Sequence, residues 1–417
     1  LAGAATHAYL PLLSRNSSVY AQVKVGCDTY EQYFGRKPVG IWLPECGYRP
    51  PGHPKANSGG APAPAGLDRV LAGVGLRHFF VDAHAIQGGT PVGTYGSRSS
   101  GRPAPRHTAA RPGYTTYLPY LLRGSGICVL GRNERTALQV WSSEWGYPGD
   151  GNYREFHKRD SISGLHYWKV TSRLTDLASK EVYQPDAALA RAGEHADHFV
   201  GLVERLLTEF HRETGKHGVI VAPFDVELFG HWWLEGLDWL RWTLEGLARS
   251  ENVELTTSAK CLEQHPPTRS INLVESSWGL GGAHYIWDNE ATGWMWEQIH
   301  DTEAEMERAV GEANRTEGTL NEYPITQRLL RQAGREALLL QSSDWPFLVT
   351  TEQAADYASR RFLEHRHRFT RLVDALGRVP VAPETLSHLE EIETIDAVFP
   401  NLDQRVFAGK QGFSLRR

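Results

Sequence analysis

Short apolar runs recur along the chain and predict buried strands at 40–45, 77–82, 127–132, 218–225 and 253–257. Helical periodicity fills several of the gaps, over 19–34, 187–214 and 232–249. Strands alternating with helices imply an α/β fold built on a parallel sheet or barrel. Residues 1–13 read as a buried strand running into a loop. A chain does not normally open inside a core strand, so a missing N-terminal piece is expected. Two Pro/Gly-rich stretches, 49–66 and 88–113, interrupt the alternation. The second carries Arg98, Arg102, Arg106 and Arg111 with no acid, and reads equally as a functional lid or a disordered insertion. Beyond about residue 290 the pattern becomes helical, at 294–310, 317–342, 351–376 and 383–395, with Gly377 and Pro380 marking one helix end. The expected division is 1–290, with an inserted lid and helical region at about 86–215, and a helical domain over 291–417.

Two predicted strands end on acids. Gly-Ile-Trp-Leu-Pro-Glu closes on Glu45, and Val-Ile-Val-Ala-Pro-Phe-Asp closes on Asp225. Pro44 cannot donate to a ladder, so pairing stops there and Glu45 turns into open space. Taken singly, Glu45 could be a surface acid and Asp225 a helix N-cap. Two acids at equivalent strand ends, where barrel enzymes carry their chemistry, favour a catalytic pair. Glycoside chemistry needs such a pair. One carboxylate attacks the anomeric carbon, and the other protonates the leaving oxygen and later deprotonates the acceptor, with the two groups about 5–5.5 Å apart for retention.

Composition narrows the field. The formal charge of −5 excludes a basic nucleic-acid surface. No apolar run approaches the roughly 20 residues of a membrane helix. Cys27, Cys46, Cys128 and Cys261 are scattered without metal or disulfide spacing and fit a reducing cytoplasm. The chain holds 13 Trp against 2 Met, and the Gly-flanked ones suit sugar-stacking loops, Trp278 above all. His7, at another strand end, reads equally as a sugar ligand or a core histidine, and so does His231 beside Trp232 and Trp233. Asp82 with His84, and His365 with His367, lack a third metal ligand; the latter pair is expected to be solvated. No metal or cofactor is expected.

At these residues the chain resembles glycoside hydrolase family 57, and within it the 1,4-α-glucan branching group. The matching segments are 4–13, 40–50, 140–149, 153–157, 223–233 and 276–279, followed by Ser-Ser-Asp-Trp-Pro-Phe at 342–347 and Phe-Pro-Asn-Leu-Asp-Gln-Arg-Val-Phe at 399–407. The resemblance implies a distorted seven-stranded (β/α) barrel, an inserted helical region and a C-terminal helical domain. It makes Glu45 the nucleophile and Asp225 the general acid/base. His7 would line the donor subsite, and Trp141, Trp278 and Trp287 would line the glucan cleft; His231 and Trp345 are further candidates for substrate contact. A lid tyrosine is implied within 86–117, with Tyr95, Tyr114 and Tyr117 competing and Tyr95 preferred. The family's opening strand ends in His-Gln-Pro, a motif this chain lacks, so the first barrel strand is expected to be missing. The activity implied is cleavage of an α-1,4-glucan and transfer to a 6-hydroxyl. The alternatives are an α-amylase, a 4-α-glucanotransferase with the same carboxylates, or an inactive glucan-binding fragment; a metal-dependent deacetylase is a distant further one.

Overall fold

The computed structural model describes residues 1–52, 65–91, 108–142, 145–315, 324–376 and 381–409. Among them, five short strands form one sheet: β1 (Gly40–Ile41), β2 (His78–Val81), β3 (Tyr120–Leu122), β4 (Cys128–Gly131) and β5 (Ser270–Ile271), in the order β1-β2-β4-β3-β5. The β1–β2, β2–β4 and β3–β5 pairs are parallel and β3–β4 is antiparallel, so the sheet is mixed. Its centre is apolar on both faces. Ile41, Phe79, Val81 and Val129 are completely buried, each worth about 1.5–3 kcal/mol of burial. Ala2 extends the sheet beside β1, donating to Gly40 O and accepting from Trp42 N, both at 2.9 Å.

The sequence pattern and the structure part company at two strands. Residues 218–225 and 253–257 form no strand and lie outside the sheet ladders. The first is tied to other parts of the chain by Val219 N donating to Tyr117 O and Asn133 N donating to Val221 O, at 2.9 and 2.8 Å. Conversely, β3 and β5 are too short to show a period. Residues 1–13 likewise contribute isolated bridges and a 3₁₀ turn (Leu10–Leu12) in place of a strand.

Helices follow the periodicity more closely. The main ones used below are α1 (Asn16–Phe34), α2 (Glu134–Trp141), α3 (Pro185–Thr214), α4 (Gly236–Ala248), α5 (Gly293–Arg315), α6 (Pro324–Leu340), α7 (Asp344–Thr350), α8 (Ala355–Asp374) and α9 (Pro383–Ile395). The last five form the helical layer. Gly35 and Gly215, both left-handed, stop α1 and α3.

His365 on α8 is buried, not solvated as its charged surroundings suggest. Its Nδ1–H donates to Glu336 at 2.8 Å, and Arg361 donates to its Nε2 at 3.2 Å. Asp396 sits 3.8 Å away and accepts from Arg368 at 2.6 Å. Glu336, His365 and Asp396 each bring one potential metal-ligand atom within 4.8 Å of the others. Gln332, Arg361 and Arg368 already donate into the cluster, so it is a buried salt network joining α6, α8 and the end of α9. Burial pushes the Glu336 carboxyl up, against the pull of His365. His365→Ala should strand that carboxyl at a cost of ~3 kcal/mol, lowering Tm by about 3–4 °C. An unchanged Tm would show that the network contributes nothing to the fold.

Candidate active site

After β1 the chain passes Trp42 and Leu43 and enters the 3₁₀ turn Pro44–Cys46. Glu45 and Cys46 are both left-handed, with φ of 59° and 51°. Side chains in that region cost of order 1 kcal/mol or more each, so surrounding contacts must hold the turn. Cys46 is fully buried, Cys46 N and Gly47 N donate back to Leu43 O and Pro44 O at 3.0 and 2.9 Å, and Trp278 N donates to Glu45 O at 3.0 Å. The same Trp278 donates its indole N–H to one Glu45 carboxylate oxygen. His7 Nε2 lies 3.3 Å from the other.

His7 is itself left-handed, with φ of 53°. The helical layer fixes this turn: Ser343 N donates to His7 O at 3.2 Å, and Ala8 bridges Ser342. Burial opposes a charge on His7. The hydrogen bond to Glu45 and the charges of Glu45, Asp344 and Asp225 outweigh it and raise its pKa.

Asp225 precedes the turn Val226–Leu228, yet its side chain makes no capping bond, so the N-cap alternative is not realised. Asn133, just past β4, holds the preceding segment through Val221. Burial, followed by the charges of Glu45 and Glu227, pushes the Asp225 carboxyl up to about 6, against His7 and Arg132. Glu45 and Asp225 line one open cleft of about 1270 Å³, together with His7, Trp141, His231 and Asp344. Two carboxyl groups therefore face the same space in unlike settings. One accepts hydrogen bonds from fixed donors, and the other keeps its proton to about pH 6. An acid–base pair is the chemistry this provides.

The remaining expected contacts divide. Trp141 and His231 reach the cleft. Trp278 is buried beneath it at 6% exposure and acts on Glu45 through its N–H, so it is not an open platform. Trp287 is a correction: it is 1% exposed, stacked on Tyr9 with centroids 4.1 Å apart, and belongs to the core. Trp345 is not among the residues lining the cleft; its indole N–H donates to Leu339 O at 2.9 Å. Of the competing lid tyrosines, Tyr114 donates to Ser270 O and Tyr117 stacks on Phe210 with centroids 5.0 Å apart, while Tyr95 lies outside the described residues.

Beneath the site lie Arg132, which the sequence did not single out, and Asp82, weighed there only as a metal ligand. Arg132 follows β4 and Asp82 follows β2; they form a buried pair at 2.7 Å. Arg132 also lies over the Trp278 ring at 5.5 Å, beneath the tryptophan that holds Glu45. Both occupy the strand-end positions that singled out Glu45, so the same rule applied to every strand finds them.

The sequence profile of glycosyl hydrolase family 57 matches residues 1–274. The chain belongs to glycosyl hydrolase family 57. A second profile, the C-terminal region of 1,4-alpha-glucan branching enzymes, matches residues 298–407 of this family 57 chain. It is 44% identical to a 1,4-alpha-glucan branching enzyme of Thermococcus kodakarensis over 96% of its own length and 57% of that relative's. It is 30% identical to a probable branching enzyme of Mycobacterium tuberculosis, over 97% and 69% of the two lengths. The crystal structure of the Thermococcus enzyme superposes with a TM-score of 0.87 at 42% identity, covering 97% of this chain and 71% of that one. An alpha-amylase of Thermotoga maritima superposes with a TM-score of 0.76 at 31% identity, covering 97% and 72%. The chain thus spans a little over half the length of the Thermococcus relative.

Proposed function

We propose that this family 57 chain is a retaining glucan-transferring enzyme that cleaves an α-1,4 bond and re-forms it as an α-1,6 branch. The carrying observation is that Glu45 and Asp225, far apart in sequence, face one cleft, Glu45 accepting the Trp278 indole N–H while burial pushes the Asp225 carboxyl up to about 6. Glu45, oriented by His7 and the Trp278 N–H, attacks the anomeric carbon and holds the chain as a glycosyl ester. Asp225, protonated up to about pH 6, gives its proton to the leaving oxygen and then takes one from the incoming hydroxyl. The elevated pKa suits both halves, because the group returns to its starting state each cycle. No step requires a metal or cofactor.

Branching is preferred because the branching-enzyme C-terminal profile covers the helical layer and two relatives carry that name. The likeness to an alpha-amylase supports hydrolysis as the second reading. We read the mixed sheet as part of a distorted seven-stranded barrel over 1–290, with a helical domain over 291–417. All four cysteines are free thiols, which supports a cytoplasmic place of work. Among the described residues no helix is long and apolar enough to cross a membrane.

Incubation with amylose, followed by debranching and linkage analysis, tests the assignment. New α-1,6 linkages are expected. Only new reducing ends, or only redistributed linear chains, would replace it with an amylase or a 4-α-glucanotransferase.

A further inference from the structure

One wall of the cleft carries an aromatic pair that the catalytic steps leave unused. Phe156 and Trp232 pack together at a tilt, with centroids 4.3 Å apart and planes 33° apart. His231 meets both edge-on, at 5.2 and 5.4 Å. All three residues line the cleft shared by Glu45 and Asp225. Trp232 is 37% exposed, whereas its neighbour Trp233 is 1% exposed and packed in the core. The chain therefore spends one tryptophan on its interior and holds the adjacent one open to the cleft.

The open ring is not loose. Its indole N–H donates to Glu227 at 3.1 Å and its backbone N–H to Glu227 O at 3.3 Å. Glu227 lies in the turn Val226–Leu228 that directly follows Asp225, so the ring is tied to the residue expected to work on the leaving group. Phe156 is fixed from the other side. Its neighbour Glu155 pairs with Lys180 at 3.2 Å, both side chains under 10% exposed, and Glu155 N donates to Trp168 O at 2.8 Å.

A partly exposed, pre-oriented aromatic face suits the apolar C–H face of a pyranose ring and loses little freedom on binding. In retaining transfer the acid/base residue serves the leaving group and later the acceptor, which occupy the same side of the bond. We infer that Phe156 and Trp232 form the stacking platform for the acceptor glucan, beyond Asp225 and away from the His7 side of Glu45. This inference rests on the retaining-transfer reading and adds to it a site that selects an incoming chain over water.

The test uses the full chain and maltoheptaose. In the Glu45→Gln protein, calorimetric Kd should rise about fivefold to tenfold on adding Phe156→Ala or Trp232→Ala. Phe156→Leu keeps the volume without the flat face and should lose nearly as much, which separates stacking from folding. In the otherwise unaltered enzyme, each change should lower transfer relative to hydrolysis by a similar factor. An unchanged Kd overturns the platform. A weakened Kd with an unchanged ratio of transfer to hydrolysis overturns its assignment to the acceptor. Sustained turnover by Glu45→Gln alone would instead sink the catalytic reading, so the two failures show in different proteins.

Discussion

Glu45→Gln is expected to lower turnover of amylose by about 10⁴-fold or more, with little change in stability. The substitution keeps the shape and an oxygen for the Trp278 N–H, and removes only the nucleophilic charge. A structural role would tolerate it. A variant within about tenfold of the parent would show that Glu45 does not attack the sugar. The shorter Glu45→Ala leaves room for a small anion, and added azide should then give a glycosyl azide of inverted configuration. The charge has a further reach, because Glu45 is one cause of the high Asp225 pKa. In Glu45→Gln the Asp225 carboxyl should titrate lower, a shift that carboxyl NMR would read without any turnover.

Asp225→Asn should cost about 10²–10⁴-fold and remove a pH dependence with it. Bond cleavage needs the protonated carboxyl, so the parent rate should fall as pH rises through about 6, while the residual rate of the variant stays flat there. A parent profile indifferent to pH between 5 and 7 would remove Asp225 from the role of acid. Stability should move the same way. The folded state binds this proton more tightly than an unfolded aspartate, so the stabilisation is complete below the ordinary carboxylate range and is lost as pH rises through about 6. The loss is of order 1–3 kcal/mol for a partly buried group. Asp225→Asn should not show it, and denaturant midpoints at pH 4 and 7 would reveal the difference.

Much of this was legible from residue types and spacing. β1 and β2 are fully buried and β4 is buried from Val129 on, and a buried parallel strand reads as a continuous apolar segment. The run at 218–225 carries the same signal yet is only half-buried and has no ladder partner, because apolar content alone decides neither. β3 and β5 hold three and two residues, too few to express any period. The proposed catalytic pair stood out because both acids follow apolar runs. The tryptophans were harder. Trp232, Trp233, Trp278 and Trp287 are one residue type in similar company, and only packing separates cleft, support and core. His365 is buried for a related reason: its partners Glu336 and Asp396 come from elsewhere in the chain, so the charged residues beside it in sequence say nothing of them.

The left-handed turn of His7 has a consequence for modularity. It is held from the helical layer, by the peptide N–H of Ser343 and the bridge between Ala8 and Ser342. The layer after residue 290 is therefore part of the tool and not merely its handle. A chimera that joins the sheet of one relative to the helices of another inherits a working His7 only if the 7–8 and 342–343 segments come as a matched pair.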